Sequence, residues 1–341
     1  MIMARPQFDR HTTGMEVAET FQEQIWGRSI LVTGPSPNSI GEATALAIAR
    51  HRPALLILAG RSPAKLDVVA TSCREVQTVS LDLNSLESVR SAAAEIAKLT
   101  DHLDILINNA GISTGTYSRS REGIESHFAT NHVGPFLFTN LLLPLILRAG
   151  RGARIVNVSS SAHSISPVRF SDINFENEVD GPKKGTIDVP MNERPHPKSP
   201  AWTVARSADG FPGTVAYGQS KTANILFAVG LKRRLAGHGI EVLSVHPGEI
   251  RTNLIKDLSP EFRAQTQNWP ANRWKTYDQG CATTLVSAFD PELAGTQHIY
   301  LSDCKPTRAA LWATDPAQAE RLWHLSEQLV GGAQASPGSK L

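Results

Sequence analysis

Seven short runs of aliphatic and β-branched residues punctuate the chain, at Ser29 to Thr33, Ala54 to Gly60, Val76 to Leu81, Ile105 to Asn108, Ala153 to Ser159, Ile240 to His246 and His298 to Leu301. Apolar runs of strand length that do not alternate with polar residues imply burial on both faces, hence parallel strands sandwiched between helices. Longer alanine-rich stretches with helical spacing fill the gaps. The pattern predicts an α/β chain: one doubly wound parallel sheet of about seven strands with helices on both faces. No repeat of solenoid length interrupts it.

Two stretches depart from this rhythm. The first 14 residues read as a flexible leader, after which Thr13 is placed to cap a short helix from about Met15 to Gln24. From Ser164 to Gly213 neither period is convincing, and six of the 21 prolines (Pro182, Pro190, Pro195, Pro197, Pro200, Pro212) crowd into its second part. Ordered loops of this length are uncommon, and are either functional lids or disordered. Its charged pieces "ENEVDGPKK" and "NERPHPK" read as too polar to pack fully. Because the strand pattern resumes beyond it, the stretch is an insertion and not a domain linker. The organisation expected is a leader and short helix over 1–25, one domain over 26–341 carrying the insertion at about 164–213, and a helical tail at about 305–330.

Composition narrows the function classes. With 341 residues, 41% of them hydrophobic and 19% charged, the chain can bury one large core. A formal net charge of +2 without any basic block gives no reason to expect nucleic acid as a partner. Three widely spaced cysteines (Cys73, Cys281, Cys304) argue against a disulfide framework, and the 11 histidines show no metal-ligand spacing, so no metal is expected. The longest apolar segment, Phe136 to Leu147, is broken by Asn140 and Pro144 and falls short of the roughly 20 residues of a membrane span. The N-terminus lacks the apolar core of a secretory signal. A soluble, cytoplasmic protein is therefore expected, with room for a homo-oligomer.

The first strand runs into the turn "TGPSPNSIGEATALAIARH", residues 33 to 51. A glycine turn that feeds a helix N-terminus presents backbone N–H groups to an anion. A P-loop needs Lys-Ser/Thr after its last glycine, whereas Glu42 and Ala43 follow Gly41, so a nucleoside triphosphate is excluded. A dinucleotide turn needs no lysine, because its pyrophosphate is held by amides and the helix dipole.

Candidate chemistry lies on either side of the insertion. In "VAYGQSKTANILFAVGLKRRL", Tyr217 and Lys221 stand four apart on one helical face. A cation that close favours the phenolate and moves the tyrosine from about 10 toward the physiological range, fitting it for general acid or base work. The strand "ARIVNVSSSAH" delivers hydroxyls to the carboxyl end of the sheet. Neighbouring side chains on a strand face opposite ways, so Ser159 and Ser161 could share a face that Ser160 does not. The Asn108-Asn109-Ala110-Gly111 run closes the fourth strand, and Asn131 sits in the helix "ESHFATNHVGPFLFTNLLL".

Taken in order, the Thr33-Gly34 to Gly41 turn, Asp82, the run 108 to 111, Asn131, the serine cluster, Tyr217 with Lys221, and Pro247-Gly248 resemble the short-chain dehydrogenase/reductase family over most of residues 26 to 304. "RIVNVSSSAH", "AYGQSKTANILFA" and "HPGEIRTNL" are most similar to its retinol-dehydrogenase-like branch. The resemblance implies a Rossmann fold and a catalytic set of Asn131, Ser160, Tyr217 and Lys221. In it Tyr217 exchanges a proton with the substrate oxygen, Lys221 lowers its pKa and holds the nicotinamide ribose, Ser160 bonds the substrate oxygen and Asn131 anchors a water. His163 is expected to be structural or substrate-lining. The dinucleotide would lie against Gly34, Ser36, Ser39, Ile40 and Gly41, then Asp82 and Leu83, then Asn109, Ala110 and Gly111, with Pro247, Gly248, Ile250 and Thr252 shaping the nicotinamide pocket.

The turn departs from the family's TG-x-x-x-G-I-G by one extra residue and by Ser39 in place of the second glycine. Pro35 and Pro37 remove two N–H donors, so the hydroxyls of Ser36 and Ser39 are expected to take over part of the anion contact. No Asp or Glu closes the second strand, "LLILAGRS", to bind ribose hydroxyls. Arg61 stands there instead and matches the 2′-phosphate of NADP. The expectation is an NADP-dependent oxidoreductase acting on a small lipophilic alcohol or carbonyl: a retinoid, steroid, terpenoid or polyketide. A cyclase, a dehydratase or a non-catalytic binding module on the same scaffold is the rival, and the intact four-residue set speaks against it. The insertion, which leaves after Ser160 and returns before Tyr217, is expected to cover the substrate side only.

Overall fold

The aliphatic runs become strands with small shifts of boundary: β1 Ser29–Thr33, β2 Leu55–Gly60, β3 Val76–Ser80, β4 Ile105–Asn108, β5 Arg154–Val158, β6 Glu241–His246, β7 Glu249–Ile250, β8 Trp274–Lys275, β9 Tyr300–Ser302 and β10 Lys305–Pro306. The structure, a computed structural model, describes residues 7–179, 189–200, 206, 207, 209–252, 264 and 266–331. Eight strands form one sheet in the order β10-β9-β6-β5-β4-β1-β2-β3, parallel except for β10 against β9, while β7 and β8 pair separately. The parallel doubly wound sheet is thus as expected, with β10 as an unexpected antiparallel edge. Two residues ending in Pro306 carry no strand pattern, and proline is tolerated only at such an edge.

β1 shows why its run is apolar throughout. Ile30 and Val32 pack on one side with α1 (Gly14–Thr20), α3 (Ile40–Ala49) and the helix Tyr277–Phe289. Leu31 packs on the other with α5 (Leu86–Leu99), α7 (Gly134–Ala149) and α9 (Gly213–Arg234). Each such aliphatic side chain contributes about 1.5–3 kcal/mol of burial. α5 buries Val89, Ala92, Ala93 and Ile96, the one-face spacing of an amphipathic helix, and starts at Ser85, whose hydroxyl accepts from Ser88 N–H. The continuous helical segment Ser126–Ala149, 24 residues containing an 18-residue window of mean hydropathy 1.3, is long and apolar enough to cross a membrane, but 72% of that window is buried inside the fold.

The loose leader does not hold for residues 7–13. Phe8 meets Phe21 edge-on at 5.7 Å, Arg10 donates to the Asn272 and Arg273 carbonyls, and Gln279 donates to that of His11. Thr13 forms the expected cap, a reciprocal box with Glu16. The one helix expected there breaks at Phe21 into α1 and α2 (Gln22–Ile25), because Phe21 turns out of helical geometry (φ −107°, ψ 28°).

The insertion also packs better than its polarity suggests. Phe175, Val179 and Phe211 form a small core with Val215 and Ala216. Glu193, inside "NERPHPK", is only 3% exposed; it accepts from Ser171 N–H and hydroxyl and is approached by Arg321 at 3.5 Å. Side-chain partners, which polarity alone cannot reveal, anchor that piece. The part of "ENEVDGPKK" from Asp180 onward lies outside the described residues.

Candidate active site

β1 ends at Thr33, whose hydroxyl accepts the N–H groups of Asn109 and Ala110, while Asn109 Nδ2 donates to the Thr33 carbonyl. These bonds tie the loop after β4 to the turn after β1. Gly34 must be glycine: its φ is +71° and a Cβ there would lie 2.7 Å from the Ala110 Cα. Ser39 has a task of its own beside the anion contact expected of it. Its oxygen accepts from Glu42 N–H and Ser36 N–H, capping α3. The amides of Ile40 and Gly41 have no partner among the described residues and are left for an anion.

A cleft of ≈ 340 Å³ crosses the sheet where β1 and β4 diverge, the place where strand order reverses and open α/β sheets bind ligands. The turn residues Gly34, Ser36, Ser39, Ile40 and Gly41 line it, as do Asp82 and Leu83, residues 109 to 111, Tyr217 with Lys221, and Pro247 with Thr252. Gly248 and Ile250 do not; they belong to a second cavity. At its far end stand Arg61, Ser62 and Lys65. Ser62 is the N-cap residue of α4 (Pro63–Ala70) without a side-chain cap bond, and Lys65 follows Arg61 by four residues. That spacing was the available signal for Lys65, which sequence reasoning missed.

All three serines line the second cavity described below, and Ser160 is the one beside the Tyr217 hydroxyl. Ser159 is buried and donates to the Lys221 carbonyl, and Ser161 is exposed. Ser160 stands beside the Tyr217 hydroxyl, whose ionised form it favours, and its oxygen accepts Ala162 N–H. Burial pushes the Tyr217 hydroxyl up to about 12, with Ser160 opposing. The lowering expected from Lys221 is not what governs Tyr217. Lys221 Nζ lies 5.5 Å from the Tyr217 ring centroid and donates to the Val158 carbonyl; burial brings it down to about 8.

Asn131 lies in a π turn, Ala129–Val133, between α6 (Ser126–Phe128) and α7. Its Oδ1 accepts Ile112 N–H, and its Nδ2 donates to the Ile112 carbonyl and to Ser220 Oγ. It lines neither cavity, so its side chain braces the loop beside the cleft. His163 is structural: a ring nitrogen lies 2.6 Å from the Ser160 carbonyl and the other takes Ala310 N–H. No cluster of metal-binding side chains occurs among the described residues.

The second cavity, ≈ 350 Å³, meets the first at Tyr217, Ser159, Pro247 and Thr252. The insertion contributes Ile165 and Pro200, and Thr214 follows from the start of α9. The opposite wall was not foreseen: Thr266, Trp269 and Trp274, with the two indoles 5.3 Å apart. Those residues sit in a segment with no regular period, where only the paired tryptophans hinted at a role.

The short chain dehydrogenase profile matches residues 28–171 and 203–262, more than half of the chain. The chain belongs to the short-chain dehydrogenase family. Relatives of this short-chain dehydrogenase include retinol dehydrogenase 14 of Mus musculus, 32% identical over 325 residues covering 89% of this chain and 86% of the relative. Short-chain dehydrogenase TIC 32 B, chloroplastic, of Brassica napus is 36% identical over 261 residues, covering 75% and 72%. Among solved structures, an uncharacterized protein from Mycobacterium paratuberculosis superposes with a TM-score of 0.64 at 30% identity, covering 90% of this chain and 95% of that one. The short-chain dehydrogenase is thus an oxidoreductase of a family that binds NAD(P), within its retinol-dehydrogenase-like branch.

Proposed function

We propose that the protein is an NADP(H)-dependent oxidoreductase that interconverts an alcohol and a carbonyl on a lipophilic small molecule, with Tyr217 exchanging the proton. The observation that carries this reading is the position of Tyr217: beside Ser160, at the junction of the two cavities. The first cleft suits a dinucleotide, since its unpartnered amides at the start of α3 would hold the pyrophosphate. When bound, the nicotinamide supplies or accepts the hydride. Ser160 and Tyr217 hold the substrate oxygen between them. A tyrosine raised to about 12 is protonated at neutral pH and serves as the acid of the reductive direction. Lys221, beneath its ring, brings positive charge to the cleft.

Arg61 and Lys65 support NADP(H), since both face the far end of the cleft, where an NAD site would hold a carboxylate. Arg61→Ala and Lys65→Ala should each weaken NADPH about ten- to a hundredfold, the range for a bond to a charged group, and leave NADH within twofold. Equal losses for both cofactors in a binding titration would refute the 2′-phosphate role. The two indoles support a lipophilic substrate. Trp274→Ala should raise the substrate KM about tenfold through lost apolar contact while NADPH affinity holds; an unchanged KM would show that this wall does not touch substrate. The reading itself is tested by following NADPH oxidation with a panel of lipophilic ketones and aldehydes.

A further inference from the structure

A second clasp grips the loop that separates the two cavities. The loop after β4 passes from Gly111 and Ile112, on the first cleft, to Ser113, on the second. Asn131 holds it at Ile112. One helical turn earlier, His127 holds it at Thr114, whose N–H donates to His127 Nε2 at 2.8 Å. Because Nε2 accepts, the ring proton must sit on Nδ1, which lies 2.7 Å from Glu125 Oε1. Both side chains are 0% exposed. The Glu125 carboxylate is itself fixed by the N–H groups of His127 and Phe128.

The same imidazole touches the element that carries the tyrosine. It lies edge-on to Tyr217 with centroids 6.2 Å apart, and stacks on Phe211, two residues before α9 begins. The first residue of α9, Gly213, packs so closely on the clasped loop that a Cβ would lie 2.6 Å from the Thr114 carbonyl. Loop, imidazole and first turn of α9 therefore form one packed unit, and Tyr217 stands one turn further on, four residues after Gly213.

We infer that Glu125 and His127 are a positioning pair for Tyr217. Glu125 fixes the tautomer of His127, His127 pins Thr114, and the pinned loop, on which the start of α9 packs, holds Tyr217 beside Ser160. The inference rests on the reading of Tyr217 as proton donor. Misplacement of a reacting group by about 1 Å can cost a hundredfold in rate.

The test crosses two variants of the full-length enzyme. His127→Phe keeps a ring against Phe211 and Tyr217 but has no acceptor; His127→Gln loses the ring but offers an amide oxygen to Thr114. With fold checked by thermal melting, His127→Phe should lose at least about tenfold in kcat with NADPH affinity within twofold. The pH limb assigned to Tyr217 should move upward as the influence of Ser160 weakens. His127→Gln should stay within about threefold of the parent. A parent-like kcat in His127→Phe overturns the inference, as does an equal loss in both variants with the pH limb unmoved. If His127→Phe does not fold, His127→Met against His127→Gln makes the same comparison of acceptor absent and present. Tyr217→Phe, assayed alongside, separates the two claims: an active Tyr217→Phe removes the underlying reading, whereas an inactive one beside an active His127→Phe removes only this pair.

Discussion

Tyr217→Phe is expected to lower kcat by about two to four orders of magnitude, the usual worth of a positioned acid or base. The substitution removes one oxygen and leaves a ring of the same shape beside His127 and above Lys221. NADPH affinity should therefore stay within a few fold, and the loss should appear in kcat and kcat/KM alike. The Ser160 hydroxyl keeps Ala162 N–H as its partner in this variant, so the melting curve should stay close to that of the parent. Parent-like turnover with NADPH binding intact would remove Tyr217 from the chemistry.

Lys221→Met should abolish activity and, without cofactor, make the protein more stable. Burial lowers this lysine from 10.5 to about 8, so its charge is held at a cost of about 3 kcal/mol at neutral pH. The Val158 carbonyl, which accepts from Nζ at 3.0 Å, would be left unpaired and takes back about 1 kcal/mol. The net expectation is a gain of about 2 kcal/mol at pH 7. The sign follows from proton counting: between pH 8 and 10.5 the unfolded chain binds more protons than the folded one, so the parent regains stability as pH rises through that window. The advantage of the Met variant is full below pH 8, reaches zero short of about pH 10 and turns into a deficit of about 1 kcal/mol by about pH 10.5. Denaturant titrations at pH 7 and pH 10 check this; a variant less stable at pH 7 would show that Lys221 is well solvated by its partners. A residue costly to the unliganded fold is what a binding site retains for its ligand.

Much of the scaffold was legible because its signals are local. Buried parallel strands must be apolar throughout, and the boundaries read from Ser29 to Thr33 and Ile105 to Asn108 match those of β1 and β4. The Thr13 cap was legible for the same reason. What escaped depends on partners distant in sequence. Phe8 is held by Phe21, and Glu193 by Ser171 and Arg321, so neither the anchored leader nor the anchored insertion could be seen in polarity alone. Spacing of i,i+4 reports nearness to a cation and says nothing about burial, the cause that dominates at Tyr217. Ser39 is an N-cap as well as part of the cleft lining, a double task that a serine before a helix does not reveal in sequence. The Trp269 and Trp274 wall comes from a segment with no period to read.

The central claim is that Tyr217 and Ser160 deliver a proton while the cofactor in the adjoining cleft delivers a hydride to a lipophilic carbonyl. It is tested most directly with NADPH deuterated at C4 on either face, incubated with a panel of lipophilic ketones and aldehydes, the products being weighed by mass spectrometry. The account predicts one deuterium on the carbinol carbon from one face only, at a rate at least about a hundredfold lower in Tyr217→Phe. Tight NADPH binding with no label transferred to any carbonyl would contradict it.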